Sequence, residues 1–154
     1  REAAQAMAEF IPIAHRLEYV AAIGGVSYVN DSKCTTVEAL KVALASFEGP
    51  VVLLAGGKFK GGDLKGMAQL LKQHVRAAAL YGASRDHFEA AWHGIVPLSW
   101  DKTLDLALSR ARSLARPGDT ILLAPATASY DQYSSYIERG EHFKALVCAM
   151  RESK

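Results

Sequence analysis

Cysteines, net charge and long apolar runs are all scarce in this sequence, and each scarcity excludes something. The two cysteines, Cys34 and Cys148, lie far apart and match no metal-ligand spacing. They fit free thiols in a reducing cytoplasm, with a single disulfide left open. The net charge is only +2 and the basic residues are scattered, without the basic stripe and interleaved aromatics of a nucleic-acid binder. No apolar stretch approaches the roughly 18 residues that span a bilayer. Arg1 opens a short amphipathic stretch rather than a secretory leader. The expectation is a cytoplasmic protein with neither nucleic acid nor membrane as partner. Arg in place of Met at position 1 suggests a processed product or a piece of something longer.

What is present suffices for one domain. With 154 residues, 50% of them hydrophobic and 22% charged, the chain can bury a sizeable core and is not disordered. Residues 1–10 read as the end of a helix, closed by Pro12. Residues 17–23 and 26–30 read as strands joined through Gly24-Gly25, a hairpin at one edge of a sheet. Helices are then expected at 37–47, 64–74, 85–92 (after a Ser84 N-cap), 102–116 (after an Asp101 cap) and 138–150. Strands are expected at 51–55, 75–81, 96–98 and 119–124. This alternation predicts a Rossmann-like, three-layer α/β domain: a mostly parallel sheet of about six strands with one antiparallel edge strand.

In such a sheet the strand C-termini share one rim, where open α/β folds take their ligands. Three polar or glycine-rich stretches fall there: residues 30–36, 56–63 and 124–136. The first ends an apolar run in Asn30-Asp31-Ser32-Lys33-Cys34-Thr35-Thr36, just before a helix whose first turn offers free N–H groups. The second, Gly56-Gly57-Lys58-Phe59-Lys60-Gly61-Gly62-Asp63, lacks the Gly-Lys-Ser/Thr of a phosphate-binding loop. There is no G-x-G-x-x-G in the first strand–helix turn and no G-x-S-x-G around Ser129. The histidines at 74, 87, 93 and 142 show no metal spacing, and Cys34 has no partner His assignable from sequence. Taken singly, the loop lysines could be solvated and the residues after Ala124 a packing connection.

Together, and with His15-Arg16-Leu17-Glu18, these stretches resemble the C-terminal domain of the Mur ligases, in particular its D-glutamate-adding branch. The matching pieces run in family order: Asn30-Asp31-Ser32-Lys33-x-Thr35, Gly56-Gly57-x-x-Lys60, Pro125-Ala126-x-Ala128-Ser129-x-Asp131-Gln132 and Glu138-Arg139-Gly140-Glu141-x-Phe143. Cys34 and Thr36 stand where Ala and Asn are common, Phe59 where an acidic residue is usual, and Tyr136 where Phe is usual. Ala124 and Thr127 vary within a pattern that keeps Ser129.

The resemblance implies ATP-driven amide formation, in which D-glutamate is added to UDP-MurNAc-L-alanine through an acyl phosphate in peptidoglycan synthesis. It implies that residues 1–12 end a linker or central-domain helix and that residues 13–154 form the C-terminal, amino-acid-binding domain. ATP and magnesium would be held mainly by N-terminal and central domains lying outside this chain, so no catalytic residue and no metal ligand is expected here. Thr35 and Lys60 match residues that hold the α-carboxylate of D-glutamate. Ser129 and the backbone N–H of Tyr136 match those on its side-chain carboxylate. His15, Arg16, Asp31 and Lys33 match the nucleotide side. Alternatives are another Mur ligase, a folylpolyglutamate synthase, or a non-catalytic module for an acidic metabolite.

Overall fold

The computed structural model describes residues 13–152, so the helical reading of residues 1–10 and the Pro12 stop lie outside the described residues. Strands β1 (Glu18–Ile23) and β2 (Val26–Asn30) form an antiparallel hairpin. Gly24 and Gly25 close it with φ of +60° and +80°, values that suit glycine because it has no Cβ to clash. Alternation follows: α1 (Val37–Ala45), β3 (Val51–Gly56), α2 (Ala68–His74), β4 (Val75–Tyr81), α3 (Arg85–Trp92), β5 (Leu98–Asp101), α4 (Leu104–Leu114), β6 (Thr120–Leu123) and α5 (Tyr136–Glu152). The strands lie in the order β1-β2-β6-β3-β4-β5, all parallel except the edge strand β1.

Every residue of β3 is buried, as expected of a strand covered on both faces. Alternation sorts its side chains between two cores. Val51, Leu53 and Ala55 join Leu40 and Leu44 of α1, Leu71 of α2 and Phe88 and Trp92 of α3. Val52 and Leu54 join Leu104 and Leu108 of α4 and Phe143 and Val147 of α5. The result is the expected three layers. After β3 the chain moves toward β4 across the first face, whereas after β6 it returns over β2 and β1 on the second. The neighbouring ends of β3 and β6 thus form a switch point, which opens a crevice between their loops.

Local boundaries depart furthest from the sequence expectations in two places. The helix expected from residue 64 opens with a 3-10 turn, Lys65–Met67, where the Asp63 carboxylate accepts the Gly66 N–H at 3.1 Å. The strand expected at 96–98 is β5, displaced to Leu98–Asp101, because Pro97 has no N–H to give the ladder. Asp101 therefore ends a strand instead of capping a helix. Its carboxylate takes two bonds from Arg110, at 2.8 and 3.2 Å, and Thr103 holds the N-cap position of α4.

Candidate functional site

The three rim loops are tied to one another by named bonds. Ala126 N–H donates to the Cys34 carbonyl at 3.0 Å, and Lys58 and Ala128 exchange backbone bonds of 2.9 and 3.1 Å. Ser32 Oγ donates to the Tyr136 carbonyl at 2.7 Å. Gly62 lies so near α1 that a Cβ on it would come within 2.6 Å of Val37 Cγ2. Residues 30–36, 56–63 and 124–136 therefore meet at the crevice, as the parallel topology predicts. Thr36 starts α1 from an extended backbone, its Oγ1 accepting the Ala39 N–H at 3.1 Å. The substitution at that position keeps the cap.

Arg16, Asp31, Lys33 and Cys34 line one cleft of about 240 Å³, with Leu17 and the α1 residues Ala39, Val42 and Ala43 supplying its apolar wall. Arg16 is flanked by His15 and Leu17, whose φ values are +66° and +43°. Positive φ in residues bearing a Cβ is costly and clusters where function over-determines the backbone. Asp31 is buried, with Oδ1 accepting the Leu17 N–H at 3.0 Å. Burial pushes its carboxyl above the ordinary range, while that N–H and Arg16 pull the other way. Burial, reinforced by the Asp31 charge, also pushes the Cys34 thiol up to about 12, so it stays a protonated, inert thiol. Both cysteines are free, Cys148 on the surface.

His15 is placed differently from Arg16. Its ring is buried: Nδ1 lies 2.9 Å from Asn30 Nδ2 and Nε2 lies 3.2 Å from a Glu141 carboxylate oxygen. Asn30 Oδ1 accepts the Ser32 N–H at 3.1 Å, which orients the amide so that it donates to Nδ1. The ring proton then sits on Nε2, facing Glu141. The His15 carbonyl accepts the Lys33 N–H at 2.9 Å. This histidine fixes the loops around the cleft, and its ring does not line it.

On the crevice side, Lys60 is exposed, Thr35 and Tyr136 are half-buried and Ser129 is buried. The Ser129 backbone carbonyl accepts the N–H groups of Gln132 and Tyr133 at 3.1 and 2.9 Å. The Ser129 hydroxyl makes no hydrogen bond among the described residues. Tyr136 opens α5, so its N–H has no acceptor within the helix. Arg16, Lys33, Lys58 and Lys60 form no ion pair among the described residues. Anionic ligands are what such unpaired cations, hydroxyls and N–H groups can hold.

Arg139 was given no role by the sequence reading, yet it ties the rim together. Fully buried on α5, it donates from Nε to Ser32 Oγ at 2.9 Å, from Nη2 to the Ser32 carbonyl at 2.7 Å and from Nη1 to the Thr127 carbonyl at 3.1 Å. Among the described residues it has no carboxylate partner. Close by, the buried Tyr81 hydroxyl has no hydrogen-bond partner within 3.5 Å among the described residues. Burial pushes it up to about 12, with the guanidinium pulling the other way. The available signal was position: Arg139 lies four residues before Phe143, on the inward face of its helix.

No three His, Cys, Asp or Glu side chains among the described residues could together hold a metal ion. No described helix is long and apolar enough to cross a membrane. The family model "Mur ligase, glutamate ligase domain" matches residues 15–127. A UDP-N-acetylmuramoylalanine--D-glutamate ligase of Nitratidesulfovibrio vulgaris (strain DP4) is 60% identical over 145 residues, covering 94% of this chain and 34% of that protein. The like-named protein of Acidobacterium capsulatum is 44% identical over 146 residues, covering 95% of this chain and 32% of its own.

Among solved structures, the MurF ligase from Thermotoga maritima in complex with ADP matches with a TM-score of 0.62 at 16% identity, over 93% of this chain and 33% of that one. E. coli FolC in complex with DHPP and ADP matches with a TM-score of 0.62 at 15% identity, over 90% and 32%. These structural likenesses show the fold. This chain spans about a third of the length of the curated relatives it matches. From the family match over residues 15–127, the chain belongs to the Mur ligase family, as its glutamate ligase domain.

Proposed function

We propose that this chain is the amino-acid-positioning domain of an ATP-dependent ligase that joins D-glutamate to UDP-N-acetylmuramoyl-L-alanine through an acyl phosphate, in peptidoglycan synthesis in the cytoplasm. The observation that carries the reading is the tying together of the three loops that carry Thr35, Lys60 and Ser129, beside a cleft lined by Arg16, Asp31 and Lys33. The names of relatives up to 60% identical support the choice of amino acid.

D-glutamate carries two carboxylates, and its recognition requires donors at two separated points. Lys60 and Thr35 take the α-carboxylate, an ammonium and a hydroxyl supplying charge-assisted bonds. Ser129 Oγ and the Tyr136 N–H take the side-chain carboxylate. Engagement at both ends sets the length and handedness accepted, since a shorter or inverted amino acid leaves one set of donors unpaired. Arg16 and Lys33 draw the nucleotide phosphates, Asp31 faces the ribose, and His15 holds that loop in place. These groups position the reactants. ATP supplies the activation of the acceptor carboxylate, and the residues that carry out that step, with the magnesium site, belong to the rest of the ligase.

The test is a ligase assay of the complete gene product with D-glutamate, L-lysine and meso-diaminopimelate offered separately. Amide formation with D-glutamate is expected to dominate. Turnover of L-lysine or meso-diaminopimelate at comparable kcat/KM would overturn the reading. The isolated chain is expected to show no ATP turnover.

A further inference from the structure

We propose that Phe59 and Ser84 are positioning residues for Lys60: they hold the glycine-rich loop in the shape that presents the Lys60 ammonium to the amino-acid carboxylate. This rests on the role proposed above for Lys60.

The end of β3 and the loop after it have glycines at 56, 57, 61 and 62, with φ of +142°, +120°, +106° and +122°. Glycine imposes little conformational preference of its own. A lysine in such a loop would sample many positions, so a binding site that uses it needs outside restraint.

The restraint nearest to Lys60 lies just before it. Two residues before it, Lys58 is locked to Ala128 by the paired backbone bonds. One residue before it, Phe59 is held at two points. Its N–H donates to Ser84 Oγ at 2.6 Å. Its ring lies 4.7 Å from the His87 ring and, edge-on, 6.2 Å from Phe88, against the core under α1–α3.

Ser84 shows that this hold is built for the loop. It is buried at the N-cap position of α3, yet makes no capping bond. Capping is what a serine there ordinarily does, and forgoing it costs helix stability. Ser84 thus holds the N-cap position that the sequence predicts, but its hydroxyl serves the loop instead of the helix. On the other side of Lys60, a Cβ on Gly61 would meet nothing within 4 Å, and the chain is next held at Gly62, against Val37 of α1. Lys60 thus sits between the pinned Phe59 and the open position of Gly61.

The test uses the full-length ligase. Phe59→Ala and Ser84→Ala are each expected to raise the KM for D-glutamate about three- to tenfold, the scale of one hydrogen bond or one ring contact. The KM for ATP and kcat at saturating D-glutamate should stay within about twofold, as expected when only ground-state binding is lost. Phe59→Tyr and Ser84→Thr, which keep the ring and the acceptor, should restore the KM. If Phe59 acts through Lys60, Phe59→Ala combined with Lys60→Ala should be no worse than Lys60→Ala alone. Multiplying effects, or parallel changes in the KM for ATP, would overturn the proposal. If Lys60→Ala raises the KM for D-glutamate while Phe59→Ala and Ser84→Ala do not, positioning fails and the role of Lys60 stands. If Lys60→Ala leaves that KM unchanged, the role of Lys60 fails and the positioning proposal falls with it.

Discussion

The two ends of the sheet are built to opposite specifications. At the N-terminal end, Arg76 on β4 reaches past β3 to Asp119, just before β6, with bonds of 2.7 and 3.0 Å. The same carboxylate accepts the Arg116 N–H at 2.9 Å, and the Asp119 carbonyl accepts the Ser27 N–H at 3.1 Å. Charge is paired there, and the Arg76 bond holds the Asp119 carboxyl below its usual range. At the C-terminal end, Arg16, Lys33, Lys58 and Lys60 stand without ion pairs among the described residues, Arg139 is buried without a carboxylate partner, and burial holds Asp31 above its usual range. Positive φ at residues bearing a Cβ is also found only there among the described residues, at His15, Leu17 and Ala126. One end contributes stability. The other withholds pairing that a ligand can supply.

Arg139 is where the comparison breaks most severely. Arg139→Met removes the donors to the Ser32 hydroxyl, the Ser32 carbonyl and the Thr127 carbonyl. Leaving them unpaired should cost about 3 kcal/mol, or roughly 6–12 °C in Tm for a domain of this size. Because Ser32 and Thr127 belong to different loops, the KM values for ATP and D-glutamate should both rise in the full-length ligase. Arg139→Lys keeps the charge without the planar fork and should recover only part. A wild-type Tm in the Met variant, measured by calorimetry, would remove Arg139 as the tie between loops.

Lys60→Ala and Ser129→Ala test the ligand end without the stability. Each should raise the KM for D-glutamate by about ten- to a hundredfold, matching roughly 1.5–3 kcal/mol for a lost bond to a charged group. Tm should move by less than about 2 °C, because neither side chain makes a hydrogen bond among the described residues. Equal effects on the KM for ATP would count against the carboxylate assignments. At the opposite end the pattern should invert. Asp119→Asn keeps an acceptor for Arg116 but loses the charge, at about 1.5 kcal/mol given the partial exposure of Arg76, with both KM values unchanged. Since the folded carboxyl lies below its usual value, its contribution is present above the unfolded carboxylate range, near pH 4, and is lost as pH falls through the folded value. The variant should therefore show a flatter acid limb in stability against pH.

The arrangement of the sheet was largely legible because its signals are local and strong. Strand β3 is one continuous apolar run, β4 is bounded by His74 and Gly82, and the hairpin is marked by Gly24-Gly25. The edge strand β5 was misplaced, since its residues are only half-buried and Pro97 delays the ladder. Within the site, the meeting of the rim loops followed from parallel topology. The supports did not, for each joins residues remote in sequence: Arg139 with Ser32, Phe59 with Ser84, His15 with Asn30. A single sequence identifies a serine before a helix as a cap. It does not show that a loop 25 residues earlier has taken the hydroxyl.

The smallest expected effect is the most diagnostic, because stability and function should move in opposite directions. Burial raises the Asp31 carboxyl, with the Leu17 N–H and Arg16 opposing. The folded state therefore holds that proton more tightly than the unfolded chain. Stability contributed by Asp31 is full below the unfolded carboxylate range, near pH 4, and is lost as pH rises through the folded value. Asp31→Asn cannot ionise, and its side-chain carbonyl still accepts the Leu17 N–H. At pH 7 it should be more stable than the parent by about 0.5–1 kcal/mol, a gain that vanishes when denaturant melts are repeated at pH 3.5. In the full-length ligase it should raise the KM for ATP and leave that for D-glutamate near wild type. A variant less stable at pH 7 would mean that the charge is already compensated by the cleft's own groups. Asp31 would then belong with Asp119, among carboxylates kept for the fold.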